Sequence, residues 1–574
     1  MALNLALTVG LSLLILGAAA PLGRRVTPDQ SQPVQLGVGM LLAVSALAAS
    51  SLIGLASGHL RIAATLGVVG LIVVAAMGAR RSRWVATYRP ALASIALAAV
   101  ATLTMSAPFQ PDGQIDPGTV FESRVSTRPP DNRLPYRSVQ FILNGLDPVE
   151  TQYFIDWAIT DRTQLASAAV ATVVSALGVQ VPPDQLWYLP AEEIEWRAVD
   201  AHGYWAVRAA MIALNAMLPI GIAALGTVWF GRRIGELAAL VGLLSVFSFV
   251  EALFTWPKTF GATCAAVAVA LIGARRDVLG GVGLGLAYLV HPTALVLLPV
   301  GVLFIAARTD RRMRSLAVVL ASAALVVLPW MAWVSLVLER SSRMVLYPIG
   351  WILTTPDSLS DELGAAIRHF TGRFPFGFLA DRFTSIRDSL DPVGLFQALN
   401  DRDRLRLTLF YDTTLIGMLG VVGVAIIGYG FGMVRRMRTL PDVRWAIGAQ
   451  LGLATLLWGV WPRALGRELL QPMIPVLAIA LALGLVANRR TPVLALPKAV
   501  ETFIVLNLTL LVGGPGGPET FIARISVAAL MALLAVWTLR EARDGRSALS
   551  DEAGALQLGS PEPSSDRSSG DTRR

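Results

Sequence analysis

The residues best suited to chemistry lie between 131 and 165. Asp131-Asn132-Arg133-Leu134-Pro135-Tyr136 opens the stretch, and an amphipathic segment with Val139, Phe141, Ile142 and Leu143 follows, closing at Asn144-Gly145. Tyr153, Asp156-Trp157 and Asp161-Arg162-Thr163-Gln164-Leu165 come next. A carboxylate in such an acidic, aromatic-bearing segment is suited to act as general base towards a hydroxyl. Further along stand isolated ionisable groups in apolar surroundings: Glu251, Lys258 after Trp256-Pro257, His291 before Pro292, and Arg463 and Arg467.

The elements that must hold these residues are membrane helices. The chain has 574 residues, 54% hydrophobic and only 15% charged, with a mean hydropathy of +0.60. A water-soluble chain carries far more charge. Apolar runs of about 18 to 25 residues recur, each able to cross roughly 30 Å of hydrocarbon as a helix. No run alternates as a membrane β-barrel strand does, and in lipid every backbone polar group needs an internal partner. The spacing predicts helices at 2–20, 34–57, 61–79, 89–107, 205–230, 234–254, 257–273, 278–290, 293–307, 315–338, 413–433, 444–461, 470–487, 498–513 and 520–539. The fold class is therefore an all-α polytopic membrane protein with about fifteen transmembrane helices, within a range of twelve to fifteen.

The charges give the threading. Basic clusters at Arg24-Arg25, Arg80-Arg81-Arg83, Arg232-Arg233, Arg275-Arg276, Arg308 to Arg314, Arg435 to Arg438, Arg489-Arg490 and after Arg540 all fit the cytoplasmic side. The formal net charge of +9 is thus spent on topology, and nucleic acid is not a partner. The N-terminal run resembles a signal-peptide core, but its arginines follow it, so it reads as a retained helix with the N-terminus outside and the C-terminus cytoplasmic. Cys264 is the single cysteine, which excludes an internal disulfide and a cysteine metal site.

Six regions follow: N-terminal transmembrane helices (1–107), a first external loop (108–204), a transmembrane bundle (205–338), a second external loop (339–412), C-terminal transmembrane helices (413–540) and a disordered cytoplasmic tail (541–574). The first loop holds thirteen acidic residues against six arginines. Its apolar stretch 164–180 is expected to lie as an interfacial or half-buried helix, because a full crossing would put Arg232-Arg233 outside. The Trp and Tyr residues of 187–205 read as an interfacial belt. The second loop carries Arg343, Tyr347, Trp351, His369 and aromatics from Phe370 to Phe378, which fit a cover over a site or an acceptor-binding surface. The tail is rich in Ser, Asp, Gly and Pro. No internal repeat suggests inverted transporter halves.

In order and spacing, these motifs resemble the C-type, polyprenyl-phosphate-sugar-dependent membrane glycosyltransferases, the class of protein O-mannosyltransferases and lipid A aminoarabinose transferases. In that class the first external loop opens with an Asp-Glu pair, then a Tyr, a short helix and a Gly, and later reaches Asp-Lys-Pro-Pro-Leu. Asp131-Asn132, Tyr136, Gly145 and Asp161 to Leu165 take those places here. Trp205 to Arg208 leading into a helix closed by Gly231-Arg232-Arg233, then Thr255-Trp256-Pro257-Lys258, Gly281 to Leu289 before His291-Pro292-Thr293-Ala294, and Arg467-Glu468-Leu469-Leu470-Gln471-Pro472 with Pro475 continue the resemblance over roughly 130–490. Asn132 replaces the second acid, Thr163-Gln164 replaces Pro-Pro, and three extra helices precede the loop.

The resemblance implies a GT-C-like helix bundle whose external loops contain short interfacial helices. It implies a hexosyl- or pentosyltransferase moving a sugar from a polyprenyl-phosphate donor to an acceptor outside the cytoplasm with inversion; high Ala, Gly, Val and Arg usage points to a GC-rich bacterium, hence a bacterial plasma membrane and a cell-envelope acceptor. Asp131 would be the base, Asp161 a second carboxylate, and Arg467, Arg162, Arg463 and Lys258 candidates for the donor phosphate. Asn132, Tyr136 and His291 would contact substrate. No cofactor is required, no metal ligand is assigned, and a divalent ion is left open.

Simpler readings stand beside these. Asp131 is one of many loop carboxylates; Asp161 caps the next helix with help from Thr163; Arg467 and Lys258 snorkel to headgroups; His291 makes a helix-end hydrogen bond. A lipid or polysaccharide transporter or flippase is the rival function, for which buried ionisable residues along the helices are the mark; the helices read as nearly free of them, with the charge concentrated in the external loops. A non-catalytic scaffold is the third.

Overall fold

The computed structural model describes residues 2–80, 83–106, 129–149, 159–161, 163–182, 201–308, 310–338, 415–436, 471–486, 490–508 and 518–558, with scattered positions between 364 and 380. Side chains at Asp131, Asn132, Arg133 and Asp161 are not among them. The described elements are all helical.

Four helices open the chain: α1 (Ala2–Val26), α2 (Gln32–Ala56), α3 (Leu60–Gly78) and α4 (Arg89–Ser106). They match the expected runs to within a few residues, except that α1 continues through Pro21 to Val26. Next come α5 (Pro129–Asn144) and α6 (Leu165–Ala176). The central bundle is α7 (Ala201–Asn215), α8 (Leu218–Phe230), α9 (Arg232–Gly242), α10 (Val246–Leu253), α11 (Lys258–Gly273), α12 (Asp277–Val290), α13 (Leu298–Ala306) and α14 (Arg312–Ala332). The last group is α15 (Leu415–Arg436), α16 (Ile474–Val486), α17 (Ala495–Leu506) and α18 (Pro518–Leu558).

Among the described residues six spans are long and apolar enough to cross a membrane: Ala2–Val26, Gln32–Ala56, Leu60–Gly78, Gly203–Phe230, Arg312–Val337 and Thr520–Arg543; the bent pair α9 and α10 would make seven. The chain is thus a multi-pass membrane protein. The remaining apolar helices of the bundle have 10–17 residues. The 16 residues of α11 rise about 24 Å, short of a hydrocarbon core of roughly 30 Å. The expected run at 444–461 lies outside the described residues.

Three further expectations are corrected. The predicted helix 234–254 is broken between Gly242 and Val246 and bends by 70°. Residues 164–180, expected to be interfacial or half-buried, sink into the bundle over most of the helix, while Leu177 just past its end is exposed. Ala166 to Val174 of α6 are all buried against α2 and α3, and the Thr172 hydroxyl is 2.6 Å from that of Ser51. Small side chains let this helix sink into the bundle, which hydropathy alone did not distinguish from an interfacial position. The last helix runs to Leu558, well beyond the expected end near 539 and into the stretch expected to be disordered.

Candidate functional site

The two segments expected to carry the carboxylates fold against one another. Asp131 and Asn132 stand in the first turn of α5, after Pro129-Pro130, whose fixed φ and missing N–H suit a helix start. The helix closes at Asn144, and Gly145 takes a left-handed φ of 59°, the common glycine stop. Asn144 donates to the Val181 carbonyl (2.8 Å) and Gln140 to that of Pro182 (2.8 Å), tying α5 to the segment that follows α6. Asp161 ends a 3₁₀ turn, Ile159–Asp161. Ile159 packs with Leu134 and Phe141 of α5, so the backbone around 161 sits beside that helix. The N-cap of α6 is Gln164 rather than Asp161, and the Gln164 amide turns back to donate to the Ile159 carbonyl (3.2 Å).

From α5 a buried polar tract runs into the bundle. The Tyr136 ring meets Tyr204 edge-on, with centroids 5.4 Å apart. Arg208, wholly buried, donates to the Tyr204 hydroxyl at 2.6 Å and to the Leu253 carbonyl at 3.2 Å. Close by, Glu251 accepts from the Trp256 indole N–H at 3.2 Å, and the Lys258 ammonium lies 3.8 Å from the centroid of that indole. Glu251 is 1% and Lys258 3% exposed. Charges this deep are costly in a bilayer and mark function by default.

Asn215 holds the turn that presents Trp256 and Lys258. Its amide donates to the carbonyls of Phe254 (2.8 Å) and Trp256 (3.1 Å), and its carbonyl accepts the Phe260 N–H (3.2 Å). Pro257 stops α10 from running on into α11, since proline cannot donate inside a helix, and the freed backbone groups find Asn215 instead. A Cβ placed on Gly261 would lie 3.3 Å from the His291 Cβ, so His291 adjoins the first turn of α11. The Gln471–Met473 turn packs against α11 and the Pro292–Leu297 turn.

His291 fills the simpler role expected of it. Its Nδ1 accepts the Thr293 backbone N–H (3.3 Å) and lies 2.7 Å from the Thr293 hydroxyl. It caps the turn that follows Pro292; because an N–H can only donate, Nδ1 is the unprotonated nitrogen and a neutral ring carries its proton on Nε2.

Of the predicted site residues, Tyr136, Lys258 and His291 are buried around this tract, and α5 and the 159–161 turn carry Asp131, Asn132 and Asp161. Arg162, Arg463 and Arg467, with Arg343, Tyr347, Trp351 and His369, lie outside the described residues. Snorkelling is corrected for Lys258, whose ammonium turns to an indole inside the bundle. The interfacial belt is corrected at Tyr204 and Trp205, which are buried at 1% and 5% exposure. The expectation that the helices are nearly free of ionisable groups is corrected too, by Arg208, Glu251, Lys258, Lys498 and Glu501. Arg208 and Asn215 were missed as site residues. An arginine in the second turn of a 28-residue apolar span, Gly203–Phe230, was the available signal for Arg208. Among the described residues no three of His, Cys, Asp or Glu gather to hold a metal ion.

No protein-family profile and no curated protein matches the chain. Two solved structures are similar to it. ArnT from Cupriavidus metallidurans, bound to undecaprenyl phosphate, is 17% identical, with 81% of this chain and 78% of that one covered and a TM-score of 0.43. The archaeal oligosaccharyltransferase AglB from Archaeoglobus fulgidus, in complex with an inhibitory peptide and a dolichol-phosphate, is 13% identical, with 81% and 56% covered and a TM-score of 0.36. Scores of this size carry no inference about substrate or residues.

Proposed function

We propose that this protein is a membrane glycosyltransferase that moves one hexose or pentose from a polyprenyl phosphate to a cell-envelope acceptor outside the cytoplasm. The observation that carries the reading is the buried tract from Tyr136 through Arg208 to Lys258, reached from the segments bearing Asp131 and Asp161. Its described side chains hold two cations, Arg208 and Lys258, against one carboxylate, Glu251. An excess of buried positive charge suits an anion such as a lipid phosphate. The motif order along 130–490 supports the same class.

In this reading the acceptor hydroxyl loses its proton to Asp131 as its oxygen attacks the anomeric carbon. The bond from that carbon to the phosphate oxygen breaks, the configuration inverts, and the lipid phosphate departs with the electron pair. Cations beside the phosphate stabilise the charge that develops on it. Arg467 precedes Gln471 by four residues. The turn that begins at Gln471 packs against α11, the helix that opens with Lys258, and on that ground Arg467 is the first candidate for the donor phosphate. Arg162 and Arg463 remain further candidates, and Asp161 would orient the acceptor. The basic clusters place this end of the bundle outside.

The transporter reading draws on the ionisable groups among the helices: Arg208, Glu251 and Lys258, and the Lys498–Glu501 pair at 2.9 Å. That pair is closed on itself and on backbone groups, so it favours a structural part over a conduction path. Purified protein, incubated with radiolabelled polyprenyl-phosphate sugars and an envelope fraction, is expected to transfer label, and Asp131→Asn to lose it. Transfer unchanged in Asp131→Asn removes Asp131 as base. Label that crosses vesicles without being transferred favours the transporter.

A further inference from the structure

Of the 48 lysines and arginines in the chain, only two are lysine, Lys258 and Lys498. Both are buried inside the bundle, at 3% and 0% exposure. A chain that uses arginine for every other cation has kept lysine at two interior positions. Lys258 belongs to the tract described above; Lys498 does not.

Lys498 sits on α17 where two broken helices meet. One is the α9–α10 pair, interrupted between Gly242 and Val246. The other is α15, interrupted at Gly420 with φ 70° and ψ 170°. Each break strips backbone groups of their helical partners, and such groups need others. Side chains supply them. Glu501 accepts the N–H groups of Val421 (2.7 Å) and Val422 (3.3 Å), which begin the second half of α15. Thr502 donates to the Leu244 carbonyl, and Ser245 to that of Met418. The Lys498 ammonium closes the cluster, donating to Glu501 at 2.9 Å and to Thr502 at 3.3 Å.

The fit explains both the glycine and the lysine. A Cβ on Gly420 would overlap the Glu501 carboxylate, and the positive φ disfavours any other residue. A compact ammonium on a flexible stem fits between the carboxylate and the Thr502 hydroxyl, where a planar guanidinium needs a wider fork of acceptors.

We propose that Lys498, Glu501 and Thr502 form an internal lock that positions the outer polar tract through α10. The helix joins the two places directly. Ser245 at its start is held to Met418, and Glu251 and the Leu253 carbonyl near its end are held to Trp256 and Arg208. Eight residues make a rod of about 12 Å. The rod packs against α15 and α17 as well as against α7 and α11. A shift at the Leu244–Ser245 break therefore moves Glu251 relative to Trp256. The inference holds whether or not the tract transfers sugar.

The test is ¹⁹F NMR of the full-length protein labelled with fluorotryptophan in detergent. The Trp256 resonance is assigned by its loss in Trp256→Phe, and Trp330 serves as a distant control. Glu501→Gln, Lys498→Arg and Thr502→Val are each expected to move the Trp256 resonance by more than its linewidth and to leave Trp330 in place. Thr502→Val keeps both charges and removes only the hydroxyl bond to the break, so the question stays open to test if the charge variants do not fold. A Trp256 resonance unmoved in folded variants of lowered melting temperature makes the cluster a local staple and overturns the proposal. Lys498→Arg indistinguishable from wild type overturns the argument from lysine.

Discussion

The N-terminal helices and the tract from Tyr136 to Lys258 are both withdrawn from water, and they meet that condition differently. Where α1 and α4 meet, the buried polar groups are hydroxyls that first satisfy themselves on their own helix. Thr8 donates to the Asn4 carbonyl, Ser12 to that of Thr8 and Thr102 to that of Ala98, each at 2.8 Å. Contacts between helices are then a bonus, as when Thr102 reaches the Thr8 hydroxyl at 3.0 Å. Cohesion comes from close approach: a Cβ on Gly39 would fall on the Ala19 carbonyl, and one on Gly23 on that of Gln35. In the tract the polar groups are Arg208, Glu251, Lys258 and Asn215, whose partners lie across helix breaks. Small residues suffice where a membrane protein needs only to cohere. Ionisable groups at such depth cost stability, and they are kept where charge is used.

The comparison can be broken at several points, beginning where the effect is greatest. Gly39→Val puts methyl groups against the backbone of α1, an over-packing penalty on the order of 3 kcal/mol. The expected outcome is loss of monodisperse protein on size exclusion; a well-folded Gly39→Val would refute close approach as the source of cohesion. Arg208→Met is expected to keep the fold but lower transfer by about 10²-fold or more, the scale for one charge-stabilising donor. Arg208→Lys should not restore it, because one ammonium cannot reproduce the fork between Tyr204 and Leu253. Asn215→Leu leaves three backbone groups of the 254–260 turn without their partner, at about 1–3 kcal/mol for each group left unsatisfied. The melting temperature should fall and KM for the lipid donor should rise, whereas an unchanged KM would make Asn215 purely structural.

The smallest effect concerns a charged tie between the N-terminal helices and the turn beyond the far end of α11, the hydrogen bond from Arg276 to Asp29. That guanidinium, helped by Gln30, holds the Asp29 carboxyl below its ordinary range. A carboxyl lowered in the folded state adds stability above its unfolded pKa and loses it as pH falls through the folded value. Asp29→Asn should shift the melting temperature slightly at neutral pH and low salt, with the difference from wild type vanishing in acid.

Much of the fold was legible because long apolar runs bounded by arginines admit one conformation in lipid. The breaks were legible only in part. His291-Pro292 announced its turn, since proline ends a helix, but the interruption after Gly242 carries no proline and depends on Thr502 and Ser245 making bonds more than a hundred residues away in sequence. The site was legible in the same uneven way. Tyr136 and Lys258 stood out by motif, whereas Arg208 read as the start of an apolar helix until Leu253 was seen beside it. Asn215 had no local signal, because an amide in a helix declares nothing about the turn it holds.

The sequence by itself determined that this protein crosses a membrane many times as helices, and roughly where the N-terminal helices begin. Hydrocarbon forbids unpaired backbone, and that rule acts run by run along the chain. Only the tertiary structure decided that α6 is buried, that α9 and α10 part at an angle, and that Tyr136, Arg208, Glu251 and Lys258 share one tract. Those outcomes depend on which distant groups can satisfy one another in the absence of water, a condition set by packing in three dimensions and not by local pattern.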